Sequence, residues 1–171
     1  MNTLVNAVGL ALLFAVTSQS PTLVLVDQHE GVREILAYAL AAEFPHGRIE
    51  GFAEFETAWP QLLSLQPHVV VMDERAGQSL VEGCISQLPS TRWLLYSTSL
   101  NAGGARVARA RGFSGGMGKG SDYKELILGI KELLAGRQYF PFPAAELALP
   151  APPSETVEWE TLIQRLHPEG R

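Results

Sequence analysis

The sequence predicts a doubly wound α/β domain: one five-stranded parallel sheet with helices on both faces, a three-layer α/β/α arrangement. Short apolar runs such as Thr22-Leu-Val-Leu-Val26 and Val69-Val-Val-Met72 alternate with segments of helical periodicity, and a strand covered on both faces reads as a continuous apolar run. Strands alternating with helices require right-handed crossovers, which place helices on either side of a parallel sheet. A polar residue closes the apolar runs at Asp27, Asp73 and Ser97, and Lys119 follows the last.

Residues 22–26 form the first strand. Val32, Ile35, Leu36, Ala39 and Leu40 then recur at helical spacing, with Arg33 and Glu34 turned outward, and this helix is expected to end before Pro45. Residues 48–52 read as a weaker strand, 55–65 as a helix disturbed by Pro60, and 69–72 as a third strand. Val81, Cys84, Ile85 and Leu88 mark another helical face. Trp93-Leu-Leu-Tyr96 is the fourth strand, and residues 105–111 make a short helix carrying Arg106, Arg109 and Arg111. The fifth strand, Gly115-Gly-Met-Gly118, has almost no β-propensity and is assigned from its place before Lys119. In the closing helix Asp122 is the cap, Tyr123, Leu126, Ile127, Ile130 and Leu134 are core positions, and Gly136 is the stop.

Around this unit, taken as residues 21–139, lie three further segments. Residues 1–20 are an apolar extension. Their run at 4–16 is shorter than the ~20 residues of a membrane span and lacks the basic start of a secretory signal. A docked helix, or an extension that adds nothing to the fold, is expected there. Residues 140–153 hold five prolines and predict a stiff extended linker. Residues 154–171 carry an apolar stripe of Trp159, Leu162, Ile163 and Leu166, a helix too short to be stable alone.

The 171 residues are 46% hydrophobic and 18% charged, an ordinary globular balance, and the net charge of −5 disfavours wholesale attraction to nucleic acid. One cysteine, Cys84, excludes an intramolecular disulfide and a multi-cysteine zinc site, and the four histidines are scattered.

In a parallel sheet Asp27, Gln28, Asp73, Ser97 and Lys119 reach one rim. These residue types suit phosphoryl chemistry: a carboxylate can attack a phosphoryl group, a second can hold Mg2+, and a hydroxyl and an ammonium can bind phosphoryl oxygens. Each alone is an ordinary strand-end residue; their joint order on alternate βα units is what points to a site.

Over residues 21–139 the chain resembles the response-regulator receiver family, a flavodoxin-like fold. The resemblance is carried by Leu23-Val-Leu-Val-Asp27-Gln28-His29-Glu-Gly-Val-Arg33-Glu34, by Pro67-His-Val-Val-Val-Met-Asp73, by Tyr96-Ser97 and by Gly112-Phe-Ser-Gly-Gly-Met-Gly-Lys119. The run from Glu125 to Tyr139 is similar to the closing helix of receivers attached to helix-turn-helix outputs. The resemblance implies Asp73 as phospho-acceptor, Asp27 and Asp73 as Mg2+ ligands, Ser97 as the switch hydroxyl and Lys119 as the phosphate-pairing cation.

Departures from the family pattern imply a damaged pocket. Gln28 replaces an acidic residue and is a weak ligand for a hard cation, so Mg2+ binding is expected to be weak or absent. Glu74-Arg-Ala-Gly-Gln78 replaces the usual residues after the acceptor. Thr98 stands where a very small residue is usual and is expected to narrow access to Asp73. Gly116 stands where the family carries its switch aromatic.

A phosphatase of the haloacid-dehalogenase type is the enzymatic alternative, but both Asp27-Gln-His29 and Asp73-Glu-Arg75 lack its Asp-x-Asp pair. The sequence therefore predicts a non-enzymatic, cytoplasmic receiver or pseudo-receiver that acts by binding protein: a histidine kinase, a dimer mate or a downstream effector. Arg106, Arg109 and Arg111 are the expected partner surface, weighed against a plain solvated helix face. The alternative is a phosphorylatable two-component regulator controlling transcription through a partner or a truncated output. Neither direct DNA binding by this chain alone nor membrane association is expected.

Overall fold

A computed structural model describes residues 20–76 and 83–150 of the chain. Five strands, β1 (Thr22–Val26), β2 (Arg48–Phe52), β3 (Val69–Asp73), β4 (Arg92–Ser97) and β5 (Gly115–Gly118), form one sheet in the order β2-β1-β3-β4-β5. Every pairing is parallel, for example Val24 with Val70 and Val71 with Leu94. The named helices are α1 (Glu30–Glu43), α2 (Phe55–Leu65), α3 (Ala102–Ala110), α4 (Tyr123–Leu134) and α5 (Ala144–Leu147). Residues 83–85 are helical as well and lead towards β4; Val81, assigned to the same face, lies outside the described residues.

Alternation along the strands divides the core in two. Val24, Val26, Val70, Met72, Trp93 and Leu95 face Phe55, Ala58 and Leu62 of α2 and Ala108 of α3. Leu23, Leu25, Val69, Val71, Leu94 and Tyr96 face Leu36 and Leu40 of α1 and Leu126, Ile130 and Leu133 of α4. Both sets are buried because successive strand side chains point to opposite faces and each face is covered. Each such side chain stabilises the fold by about 1.5–3 kcal/mol relative to exposure.

The sheet reverses its winding between β1 and β3, and in open α/β sheets that switch point opens a crevice at the strand carboxyl ends. Asp27 follows β1 and Asp73 ends β3, so the topology brings the two carboxylates to this crevice.

Several local expectations need correction. Ile35 and Tyr123, both assigned to the core, are 69% and 51% exposed, because each lies at the margin of its helix's buried stripe. Arg33 is half-buried and turned towards the rim, not outward. Pro60 does not break α2: it lies on the exposed side, and the helix continues to Leu65, ending at Gln66 in the left-handed conformation.

The linker expected over residues 140–153 is not extended through its described part, residues 140–150. Tyr139 bridges to Gly115 of β5, its carbonyl accepts the Gly116 N–H at 2.9 Å, and its N–H donates to the Ser114 carbonyl. Helix α5 then packs against α3, where the Arg106 guanidinium donates to the carbonyls of Glu146 at 2.8 Å and Pro150 at 3.1 Å. Prolines begin this strap and stand after its helical turn, so they shape a fold-back and leave it a helix. The apolar extension and the stripe at 154–171 lie outside the described residues. Among the described residues no helix is long and apolar enough to cross a membrane.

Candidate functional site

Lys119 joins the two halves of the crevice. Its ammonium lies 2.5 Å from Asp27 Oδ2 and also pairs with Asp73 Oδ2, while its stem passes the Tyr96 ring, with Nζ 5.5 Å from the ring centre. The backbone fixes this reach: the Lys119 N–H donates to the Ser97 carbonyl at 2.8 Å, which extends the register of β5 on β4 by one residue. Asp27 and Asp73 are nearly enclosed, at 4% and 3% exposure.

Each remaining carboxylate oxygen of this pair is also occupied. Asp27 Oδ1 accepts the His29 N–H at 2.9 Å and lies 3.0 Å from His29 Nδ1. Asp73 Oδ1 accepts the Arg75 N–H at 2.6 Å. Arg33 approaches from α1 and donates to the Asp27 carbonyl at 2.6 Å. Burial pushes the Asp27 carboxyl up, but the hydrogen bonds from Lys119 and His29 outweigh it and hold the group below its ordinary range. For Lys119 burial favours the neutral amine, and the paired carboxylates more than reverse that, so its pKa is raised.

On the β4 side the constellation is of another kind. Glu74, directly after Asp73, turns its carboxylate onto the end of β4. Oε2 accepts from the Ser97 hydroxyl and, at 3.3 Å, from the Ser99 hydroxyl. Oε1 accepts from Thr98 twice, from the hydroxyl at 3.0 Å and from the N–H at 3.3 Å. Ser97 is buried and Glu74 half-buried. Burial raises the Glu74 carboxyl, and these hydrogen bonds together bring it below its usual value.

Lys119 contacts both Asp27 and Asp73 at the rim that their strand ends share. Ser97 faces Glu74. Gln28 is exposed, and it is His29 that closes on Asp27. The Thr98 hydroxyl is spent on Glu74. Arg106 is committed to the strap, Arg109 is exposed at the end of α3, and Arg111 is half-buried at its C-cap. Beside the rim a cavity of about 10 Å³, touched by Asp27, Arg33 and Tyr96, is just large enough for one water molecule.

Two site residues, Glu74 and His29, were missed, and so was Phe140 of the strap, which packs on Gly116. Glu74 was read only as a departure after the acceptor, although a carboxylate beside Asp73 and opposite three consecutive hydroxyl residues, Ser97, Thr98 and Ser99, was a readable signal. Phe140 had none, since its partner Gly116 is far away in sequence.

No protein-family model matches the sequence, and no curated protein matches it either. Solved structures do match. A two-component response regulator of the LuxR family from Aurantimonas sp. is 27% identical, with a TM-score of 0.68 over 76% of this chain and 96% of that one. The isolated REC domain of RcsB from Salmonella enterica serovar Typhimurium, solved with the phosphomimetic BeF3−, is 15% identical with a TM-score of 0.65, covering 75% of this chain and 99% of that one. The signal receiver domain of a DNA-binding response regulator from Colwellia psychrerythraea is 19% identical with a TM-score of 0.61, covering 66% and 97%.

Proposed function

We propose that the chain, a receiver domain of the response-regulator type and of the kind attached to helix-turn-helix outputs, works as an attenuated receiver. It acts by contact with a protein partner, and Mg2+-dependent phosphorylation of Asp73 is slow or absent. The observation that supports this reading is the saturation of the two carboxylates: all four oxygens of Asp27 and Asp73 have protein donors or a cation beside them.

Attack by Asp73 on a phosphoryl group would require Oδ2 to leave Lys119, or Oδ1 to leave the Arg75 N–H. A Mg2+ ion would have to share the same two carboxylates with the ammonium, with an exposed amide, Gln28, as the further ligand. Hard divalent cations favour several oxygen ligands and accumulated negative charge. Among the described residues no set of three His, Cys, Asp or Glu side chains stands close enough to hold a metal. The donor set fits Mg2+ poorly.

Partner contact in this reading falls to the exposed end of α3 that carries Arg109, since Arg106 is engaged by the chain's own strap. The test is incubation with a small phosphodonor and Mg2+, followed by intact-mass measurement. Little or no phospho-Asp73 is expected; rapid stoichiometric modification would sink the proposal.

A further inference from the structure

Four donors from three consecutive residues converge on one carboxylate at the end of β4: the hydroxyls of Ser97, Thr98 and Ser99 and the N–H of Thr98 all point at Glu74. Among the described residues no cation pairs with Glu74, and Lys119 is held by Asp27 and Asp73. Hydroxyls and a backbone N–H without a cation make a site for an oxyanion, with hydrogen bonds strengthened by the ligand's charge. Such a cluster, left empty, would keep the buried Ser97 hydroxyl without a good acceptor. A half-buried glutamate must also give up side-chain freedom to stay there, which it does only against a set of good donors.

Glu74 also lies in the right place to be a substitute. It directly follows Asp73 in the chain, and its two oxygens face Ser97, Thr98 and Ser99 at the end of β4. The Ser97 hydroxyl in turn accepts the Ser99 N–H at 3.0 Å, and this ties the bound carboxylate to the course of the loop entering α3. Asn101 caps that helix by accepting the Gly104 N–H.

We propose that Glu74 is a built-in occupant of an oxyanion subsite formed by Ser97, Thr98 and Ser99, one that fits a phosphoryl-type anion. The glutamate keeps the loop after β4 in its anion-bound arrangement without covalent modification. This rests on the reading of the chain as an attenuated receiver and deepens it: the subsite is filled by the chain itself and presents one fixed loop arrangement to a partner.

The test is the response of the Thr98 and Ser99 amide resonances to inorganic phosphate at mildly acidic pH, where phosphate is largely a monoanion like the carboxylate it replaces. In the unaltered protein these amides should not respond. In Glu74→Ala they should shift saturably, with affinity for phosphate at least about tenfold tighter. Glu74→Asp, which shortens the reach and keeps the charge, should give the same gain and serves if the alanine variant does not fold. Equal responses in the unaltered and variant proteins, or none in any, would overturn the assignment. Rapid phosphorylation of Asp73 in the unaltered protein would overturn the attenuated-receiver reading instead, and the phosphate titration would still decide on Glu74.

Discussion

The ring of Phe140 lies directly over Gly116: a Cβ on that glycine would stand 3.1 Å from Phe140 Cε1 and 3.0 Å from Leu100 Cδ2. The strap after α4 therefore fills the space that a side chain on the middle of β5 would claim. Gly129 of α4 does the same for Tyr139, whose ring carbon Cδ1 is 2.9 Å from the site of a Cβ.

Gly116→Val should accordingly cost about 1–3 kcal/mol of stability, the usual penalty for overpacking a fitted interior. Chemical denaturation of this variant, of Phe140→Ala and of the double variant measures the coupling. Direct packing predicts that removing the ring relieves part of the valine penalty, with an interaction of about 0.5–3 kcal/mol. Strict additivity would show that the two residues do not meet.

Lys119→Met removes the one ammonium shared by two nearly enclosed carboxylates. Leaving buried charges without a partner is expected to destabilise the fold by about 3–5 kcal/mol. Asp73→Asn in the same background should recover part of the loss, because it removes one of the two repelling charges. A melting temperature unchanged by Lys119→Met would show that the ion pairs contribute nothing.

Acid should weaken the domain through Asp27 and Glu74. Both carboxyls are held below their ordinary values, so their contribution is complete above the unfolded carboxyl range, about pH 4, and is lost as pH falls through the folded values. Lys119 has the opposite sign: its raised pKa contributes fully below the ordinary lysine value and fades only as strongly alkaline pH passes the folded one. Melting curves across this range should therefore show an acid-side loss that is smaller in Glu74→Gln. An unchanged acid limb in that variant would remove Glu74 from the account.

Arg106→Ala should release the far end of the strap while leaving the core intact. The guanidinium donates to two carbonyls at the surface, so global stability should change by less than about 1 kcal/mol. Proteolytic cleavage within residues 141–150 should quicken. Cleavage at the same rate as in the unaltered protein would mean that α5 is held by other contacts.

Most of the architecture was legible because burial on both faces leaves a local mark. Val69-Val-Val-Met72 is apolar at every position since each alternate side chain meets a different helix layer, and no neighbouring segment is needed to see that. Even Gly115-Gly-Met-Gly118, poor as a strand by composition, followed from its place in the alternation, and the structure explains two of its glycines: Tyr139 lies against Gly115 and Phe140 against Gly116. The margins of the helices were misread at Ile35 and Tyr123, where 3.6-residue periodicity marks a stripe but not its edge.

For the site, the residues that reach the rim were readable from the chain alone, since strand ends in a parallel sheet converge by topology. It could not determine how they pair. That Lys119 serves both Asp27 and Asp73, that His29 and not Gln28 closes on Asp27, that Glu74 turns to Ser97, and that Arg106 is engaged by the strap were decided by side-chain direction and by contacts between residues far apart in the chain. Hydrogen bonds depend on distances of tenths of an ångström and on angle, and periodicity fixes neither. Tertiary packing alone brings an acceptor to a donor.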